Sequence, residues 1–163
     1  MRIIPLIINL LFASLSLAQN PVTWTTQAKQ IDSLTYDVVI NATIEEKWHL
    51  YATEMPKDGP LPTEFTFQDS TPIGPLTHSE LITGYDPIFE MELSYFDIKA
   101  TFYQTLVVAD ESVQDIKVNL IYQACDDKLC IFRDEQLLIP LSGDSQEQQS
   151  EDLTALTADS VKK

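Results

Sequence analysis

The segment DIKVNLIYQA, residues 115 to 124, alternates: Ile116, Val118, Leu120 and Tyr122 fall on one side, with Lys117 and Asn119 between them. A period of two is the pattern of a strand with one face buried. The same pattern recurs on both sides of it. Leu34 to Ile44 (LTYDVVINATI) puts Leu34, Tyr36, Val38 and Ile40 on one face. Val22 to Gln27, Trp48 to Thr53, Thr63 to Phe67 and Gln136 to Leu141 read as further strands. Phe89 to Phe96 and Ala100 to Val108 read as an antiparallel pair turned at Asp97, Ile98 and Lys99. Turn signals separate them at Pro56 to Pro60, Thr71 to Pro75 and Gly84 to Pro87. Seven or eight short strands with turns about every 8–12 residues predict an all-β sandwich. No stretch before residue 143 has helical periodicity, and no internal repeat is visible.

The chain opens with the positive pair Met1-Arg2, an apolar run from Ile3 to Leu17, and small residues at Ser16 and Ala18. That is the layout of a secretory signal peptide over residues 1–18, too short in its apolar part to span a bilayer with ease. About 145 residues remain, enough for one domain with its own core. We read that domain at residues 19–142. Residues 143–163 (SGDSQEQQSEDLTALTADSVKK from Ser142 on) are acidic and poor in bulky apolar side chains. Such a tail buries too little to offset its ordering entropy and is expected to be disordered or weakly helical. Export places the protein outside the cytoplasm, where disulfides persist. No later segment of the mature chain is long and apolar enough for a membrane span.

The net charge of −15 argues against nucleic acid and anionic membrane surfaces as partners. With 4 glycines and no phosphate-cradling loop, a nucleotide cofactor has no support.

The only 2 cysteines, Cys125 and Cys130, follow directly on the segment at 115–124, in the run ACDDKLC. Three kinds of chemistry suit such a pair. A structural staple ties a chain together, but a loop this small contributes only about 2 kcal/mol in the chain-entropy account. A metal site needs two further ligands, and nothing in the sequence groups His49 or His78 with the cysteines. A redox dithiol needs one thiolate able to reach its neighbour and resolve a mixed disulfide. Asp126 and Asp127 beside Cys125 disfavour the thiolate, Lys128 offsets them partly, and no arginine or histidine is adjacent. A reduced pair here would be sluggish alone and would react mainly inside a complex. That behaviour suits a carrier between dedicated partners.

Tyr122-Gln123-Ala124-Cys125, then Cys130, then a short strand ending at Ile139-Pro140-Leu141, resembles the active-site hairpin of the N-terminal periplasmic domain of DsbD, the envelope protein-disulfide reductase family. Trp48-His49-Leu50-Tyr51 resembles the family's aromatic segment near the site, and Asp86-Pro87-Ile88-Phe89 lies where the family has a cap loop. The resemblance covers roughly residues 22 to 141. It implies an immunoglobulin-like sandwich with a redox cysteine pair on a hairpin and no cofactor. It implies that Cys130 forms mixed disulfides and Cys125 resolves them, with Phe89 as the cap and Tyr51 and Tyr122 as neighbouring aromatics. Tyr122 also alternates with core positions, so a plain packing role competes for it. The implied partners are periplasmic thioredoxin-like proteins, some serving cytochrome c maturation, and a membrane-embedded electron donor. Two departures stand out. The family often has an aromatic and prolines after the second cysteine, where this chain has Ile131-Phe132-Arg133-Asp134-Glu135. The family's full-length members continue into membrane-spanning and thioredoxin-like parts that do not follow in this sequence, so two expectations stand: a stand-alone form with a separately encoded membrane partner, or a form that has lost that chemistry. A binding or scaffolding sandwich with a structural disulfide is the competing expectation.

Overall fold

The computed structural model describes residues 20–142 and 146–148. The signal peptide read at residues 1–18 and all of the tail except 146–148 lie outside the described residues.

In chain order the strands are β1 (Val22–Gln30), β2 (Thr35–Ile44), β3 (His49–Tyr51), β4 (Glu64–Phe67), β5 (Ser70–His78), β6 (Ile82–Asp86), β7 (Met91–Asp97), β8 (Lys99–Val108), β9 (Asp115–Cys125), β10 (Cys130–Pro140) and β11 (Gln146–Gln148). They form two antiparallel sheets. One runs β11-β1-β2-β8-β5; the other runs β10-β9-β3-β7-β6, with β4 paired to β9 beyond β3. The protein is an all-β sandwich, as the alternation predicts. No helix among the described residues is long and apolar enough to cross a membrane.

Alternation decides which side chains enter the space between the sheets. Tyr36, Val38, Ile40, Ala42 and Ile44 of β2 face Ile116, Val118, Leu120, Tyr122 and Ala124 of β9, and all of them are buried. Trp24 packs at their centre, with ring centroids 5.4 Å from Tyr122 and 6.1 Å from both Phe65 and Phe102. Each Val, Leu, Ile or Phe among them stabilises the fold by roughly 1.5–3 kcal/mol on burial. A hydrogen bond also links the two sheets directly: the buried Thr26 hydroxyl donates to the Leu138 carbonyl at 2.9 Å.

Three sequence expectations are corrected. Phe89–Phe96 is not one strand: β7 begins at Met91, and Phe89 lies in the turn over residues 87–90. β7 and β8 do not pair with each other. β7 lies between β3 and β6, and β8 lies between β2 and β5 in the other sheet. Ile98, at φ 63°, redirects the chain between them, and its carbonyl accepts from the Ile44 amide at 2.7 Å. A short link between two alternating segments thus makes a corner here where a hairpin was expected. Finally, Thr71 to Pro75 is strand as well as turn-like. It belongs to β5, an edge strand whose pairing with β8 shifts register between Ile73 and Thr77. Edge position is what lets a strand carry Pro72, Gly74 and Pro75. β11 pairs with β1 over Trp24 to Thr26, a strand that the composition of the tail does not suggest.

Candidate functional site

The β9–β10 hairpin pairs Cys125 with Cys130 as its last register partners before the turn. The turn closes with the Asp126 amide donating to the Leu129 carbonyl at 2.9 Å. The Asp126 carboxylate accepts from the amides of Lys128 and Leu129 at 2.8 and 2.7 Å. Hydrogen-bonded and non-hydrogen-bonded pairs alternate along an antiparallel ladder, so the cysteines occupy the closer, non-hydrogen-bonded kind. Their Cα atoms are 4.1 Å apart and their sulfurs are joined in a disulfide. The amides of Lys128 and Leu129 hold the Asp126 carboxyl below the usual carboxylate range. Asp127 projects from the turn into solvent.

The disulfide lies on the outer face of its sheet, away from the main core. There a second apolar cluster forms from Tyr51, Leu93 and Cys125, flanked by Met55, Phe89, Met91, Tyr95 and Cys130. Cys125 is 1% exposed, and Cys130 is partly exposed. Phe89 sits over this cluster, its ring edge-on to Tyr51 with centroids 5.9 Å apart. The structure therefore brings Phe89, Tyr51, Cys125, Cys130 and Asp126 together. It does not bring Tyr122. Tyr122 points to the opposite face, into the main core, with its hydroxyl 3.2 Å from Glu135 Oε1 and 3.3 Å from Asn20 Oδ1. Three positions separate Tyr122 from Cys125, and an odd spacing on a strand means opposite faces. Burial, with the Glu135 charge next, pushes the Tyr122 phenol upward; burial likewise raises the Glu135 carboxyl.

Asp86, 6% exposed at the end of β6, organises the turn that carries Phe89. Its Oδ1 accepts from the amides of Ile88 and Phe89 at 2.8 and 3.1 Å, and its Oδ2 accepts from the Tyr51 hydroxyl at 2.6 Å. Burial first, then the hydrogen bond to Asp86 and its charge, push the Tyr51 phenol far above its ordinary value. Below the cap, Gln123 links a loop to the sulfur. Its Oε1 accepts from the Leu61 amide at 2.9 Å, and its Nε2 points at Cys125 Sγ from 3.7 Å.

The sequence places no histidine beside the cysteines, but the fold supplies one. β3 lies next to β9 with His49 as the register partner of Cys125. His49 Nδ1 is 2.6 Å from Asp97 Oδ1 on β7, and the imidazole lies 4.6 Å from the Tyr95 ring. His49, Asp86 and Gln123 are the residues that reading the chain alone did not assign to the site. For His49 there was a signal: it stands two positions before Tyr51 and so shares its face.

The arrangement is a disulfide with one sulfur buried and the other partly exposed, beside an aromatic side chain, Phe89, packed against the same cluster. Residues 18–141 match the family described as thiol:disulfide interchange protein DsbD, N-terminal. This chain belongs to the DsbD N-terminal domain family. Among solved structures, the N-terminal periplasmic domain of ScsB from Proteus mirabilis is similar at TM-score 0.62 and 12% identity, over 78% of this chain and 49% of that one. The DsbD N-terminal domain of Neisseria meningitidis, in its reduced form, is similar at TM-score 0.55 and 15% identity, over 78% of this chain and 90% of that one. At these identities the likeness speaks for the immunoglobulin-like fold. The chain spans about half the length of the ScsB domain structure it matches. No curated protein matches the sequence. The family match and the disulfide together support a thiol–disulfide interchange domain.

Proposed function

We propose that this DsbD N-terminal domain works in the periplasm as an electron carrier between a membrane-embedded donor and thioredoxin-like acceptors. The cycle is two exchanges. A partner thiolate attacks Cys130 Sγ, the Cys125–Cys130 bond breaks, and Cys125 leaves with the bonding electron pair. A second thiolate, from the partner's own pair, then attacks the partner sulfur of the mixed disulfide and frees Cys130. The domain is left as a dithiol and the partner as a disulfide. Passing the electrons onward is the reverse sequence: Cys130 attacks an oxidised acceptor and Cys125 resolves the product.

The observation that carries this reading is the unequal burial of the two sulfurs. Cys125 is closed off, and Cys130 is the one a partner can reach. Phe89 shields the pair until a partner displaces it. Exposed Leu129 and Phe132 on the hairpin and Ile88 on the cap provide apolar surface for a thioredoxin-like partner. The hairpin that the disulfide closes is already joined by ladder and turn hydrogen bonds, so a staple there adds little to the fold.

The test is trapping. Cys125→Ser, expressed in its native cell, should accumulate a mixed disulfide between Cys130 and a thioredoxin-like protein. A carrier disulfide should also have a reduction potential near or above about −270 mV, whereas a structural one falls below about −300 mV. A potential in the structural range, with no trapped partner, overturns the carrier reading.

A further inference from the structure

Breaking the Cys125–Cys130 bond leaves a thiolate on the buried sulfur. Burial disfavours that charge, and so does the carboxylate of Asp126 in the turn. Cys125 therefore needs a proton as it leaves and must give one up when it attacks. The structure offers few candidates to carry it. The Gln123 amide donates toward the sulfur at 3.7 Å but is far too weak an acid to transfer its proton. The Tyr51 phenol keeps its proton near neutral pH, because burial and Asp86 push it far upward. Both Asp86 oxygens are occupied, one by Tyr51 and the other by the cap amides. The Lys128 and Leu129 amides hold the Asp126 carboxyl low, with the His49 charge a lesser influence in the same direction.

We propose that His49, held by Asp97, is the acid–base partner of Cys125 in the exchange reaction. This rests on the carrier reading of the site. Directly opposed residues of antiparallel strands project from the same face, with Cβ atoms about 4.5–5.5 Å apart. His49 and Cys125 are such a pair. The Asp97 carboxylate, 2.6 Å from Nδ1, holds a proton on that nitrogen and leaves Nε2 as the exchanging atom. The ring lies against Tyr95, which limits its rotation. The His49 side chain is 28% exposed whereas Cys125 is 1% exposed, so the strand position paired with the closed-off sulfur carries a side chain in reach of water. The groups facing it are Asp97 and Tyr95 from β7, and Cys125 and the turn residue Asp126 from β9 and its hairpin.

The chemistry balances. When a partner thiolate bonds to Cys130, the electron pair of the broken S–S bond goes to Cys125. Protonated His49 gives its Nε2 proton to that sulfur, yielding a Cys125 thiol and a neutral imidazole. In the resolving direction neutral His49 takes the Cys125 proton through Nε2. The thiolate so formed attacks Cys130, and the partner sulfur leaves with its electron pair.

The test uses dithiothreitol, so that no protein partner is needed. Reduction of the oxidised protein is followed by alkylation and mass between pH 5 and 8.5, and each rate is divided by the thiolate fraction of the reagent. The wild-type corrected rate should fall as pH rises across the range where histidine loses its proton. His49→Gln should abolish that fall and slow the acid-side rate about tenfold or more. Asp97→Asn can donate to Nδ1 and so favours the wrong tautomer, and it should slow the reaction too. Because variants can perturb folding, the His49 ring signals of the wild type are also titrated by NMR in oxidised and reduced protein, and the two curves should differ. Superimposed rate profiles for wild type and His49→Gln, or identical NMR titrations, overturn the role of His49 and leave the carrier reading standing. A disulfide that dithiothreitol does not reduce at any pH overturns both.

Discussion

The Tyr51 hydroxyl and the Asp86 carboxylate are 2.6 Å apart beneath the cap, and the carboxylate oxygen that Tyr51 does not use takes the amides of Ile88 and Phe89. One buried carboxylate thus joins Tyr51, in the cluster around the disulfide, to the turn that carries Phe89.

Asp86→Ala should strand the Tyr51 hydroxyl and two backbone amides. Loss of charge-assisted hydrogen bonds in a buried setting costs about 3 kcal/mol. Urea unfolding should show a lower midpoint with an unchanged slope. Tyr51→Phe should cost less, about 1–2 kcal/mol, because the cap amides keep their acceptor. Equal losses for the two variants would mean that Asp86 does not hold the cap amides.

Phe89→Ala should leave the fold nearly intact and open the disulfide to small thiols. Its reduction by glutathione should speed up roughly tenfold, the effect of about 1.4 kcal/mol taken from local closure. An unchanged rate, with circular dichroism confirming the fold, would remove Phe89 from the role of cover.

Alkaline stability follows from the buried phenols. Both Tyr51 and Tyr122 are raised above their ordinary value in the folded protein. Below the unfolded phenol pKa, about 10, both states hold the proton and the fold has its full stability. Above it the unfolded chain releases the proton while the folded chain retains it, so stability falls as pH rises. Denaturant midpoints should decline from about pH 10 upward, and less steeply in Tyr51→Phe. A wild-type curve that stays flat to pH 11.5 would contradict the buried-phenol assignment.

Ile98 carries a β-branched side chain at φ 63° and is 71% exposed. Left-handed backbone costs such a residue about 1–2 kcal/mol, and little packing is lost by removing the side chain. Ile98→Gly should raise stability by about 0.5–1 kcal/mol after the added freedom of the unfolded chain is counted. Ile98→Ala retains a Cβ and should gain little. A melting temperature lower for the glycine variant than for the alanine variant would show that the corner is not strained.

Much of the fold and part of the site could be read from the chain. The period of two in residues 36–44 and 116–124 identified the buried face of both central strands, because a pleated backbone alternates its side chains whatever lies beside it. The same rule separates Tyr122 from Cys125. The cysteines are close in sequence and flank a turn, so local geometry suffices to join them. Pairing between distant strands is another matter. Nothing in β7 or β8 taken singly tells whether they form a hairpin or turn a corner, and only burial against opposite sheets settles it. His49 meets Cys125, and Asp86 meets Tyr51, across dozens of intervening residues. Their register depends on how the whole sandwich packs, a long-range term that no local pattern encodes.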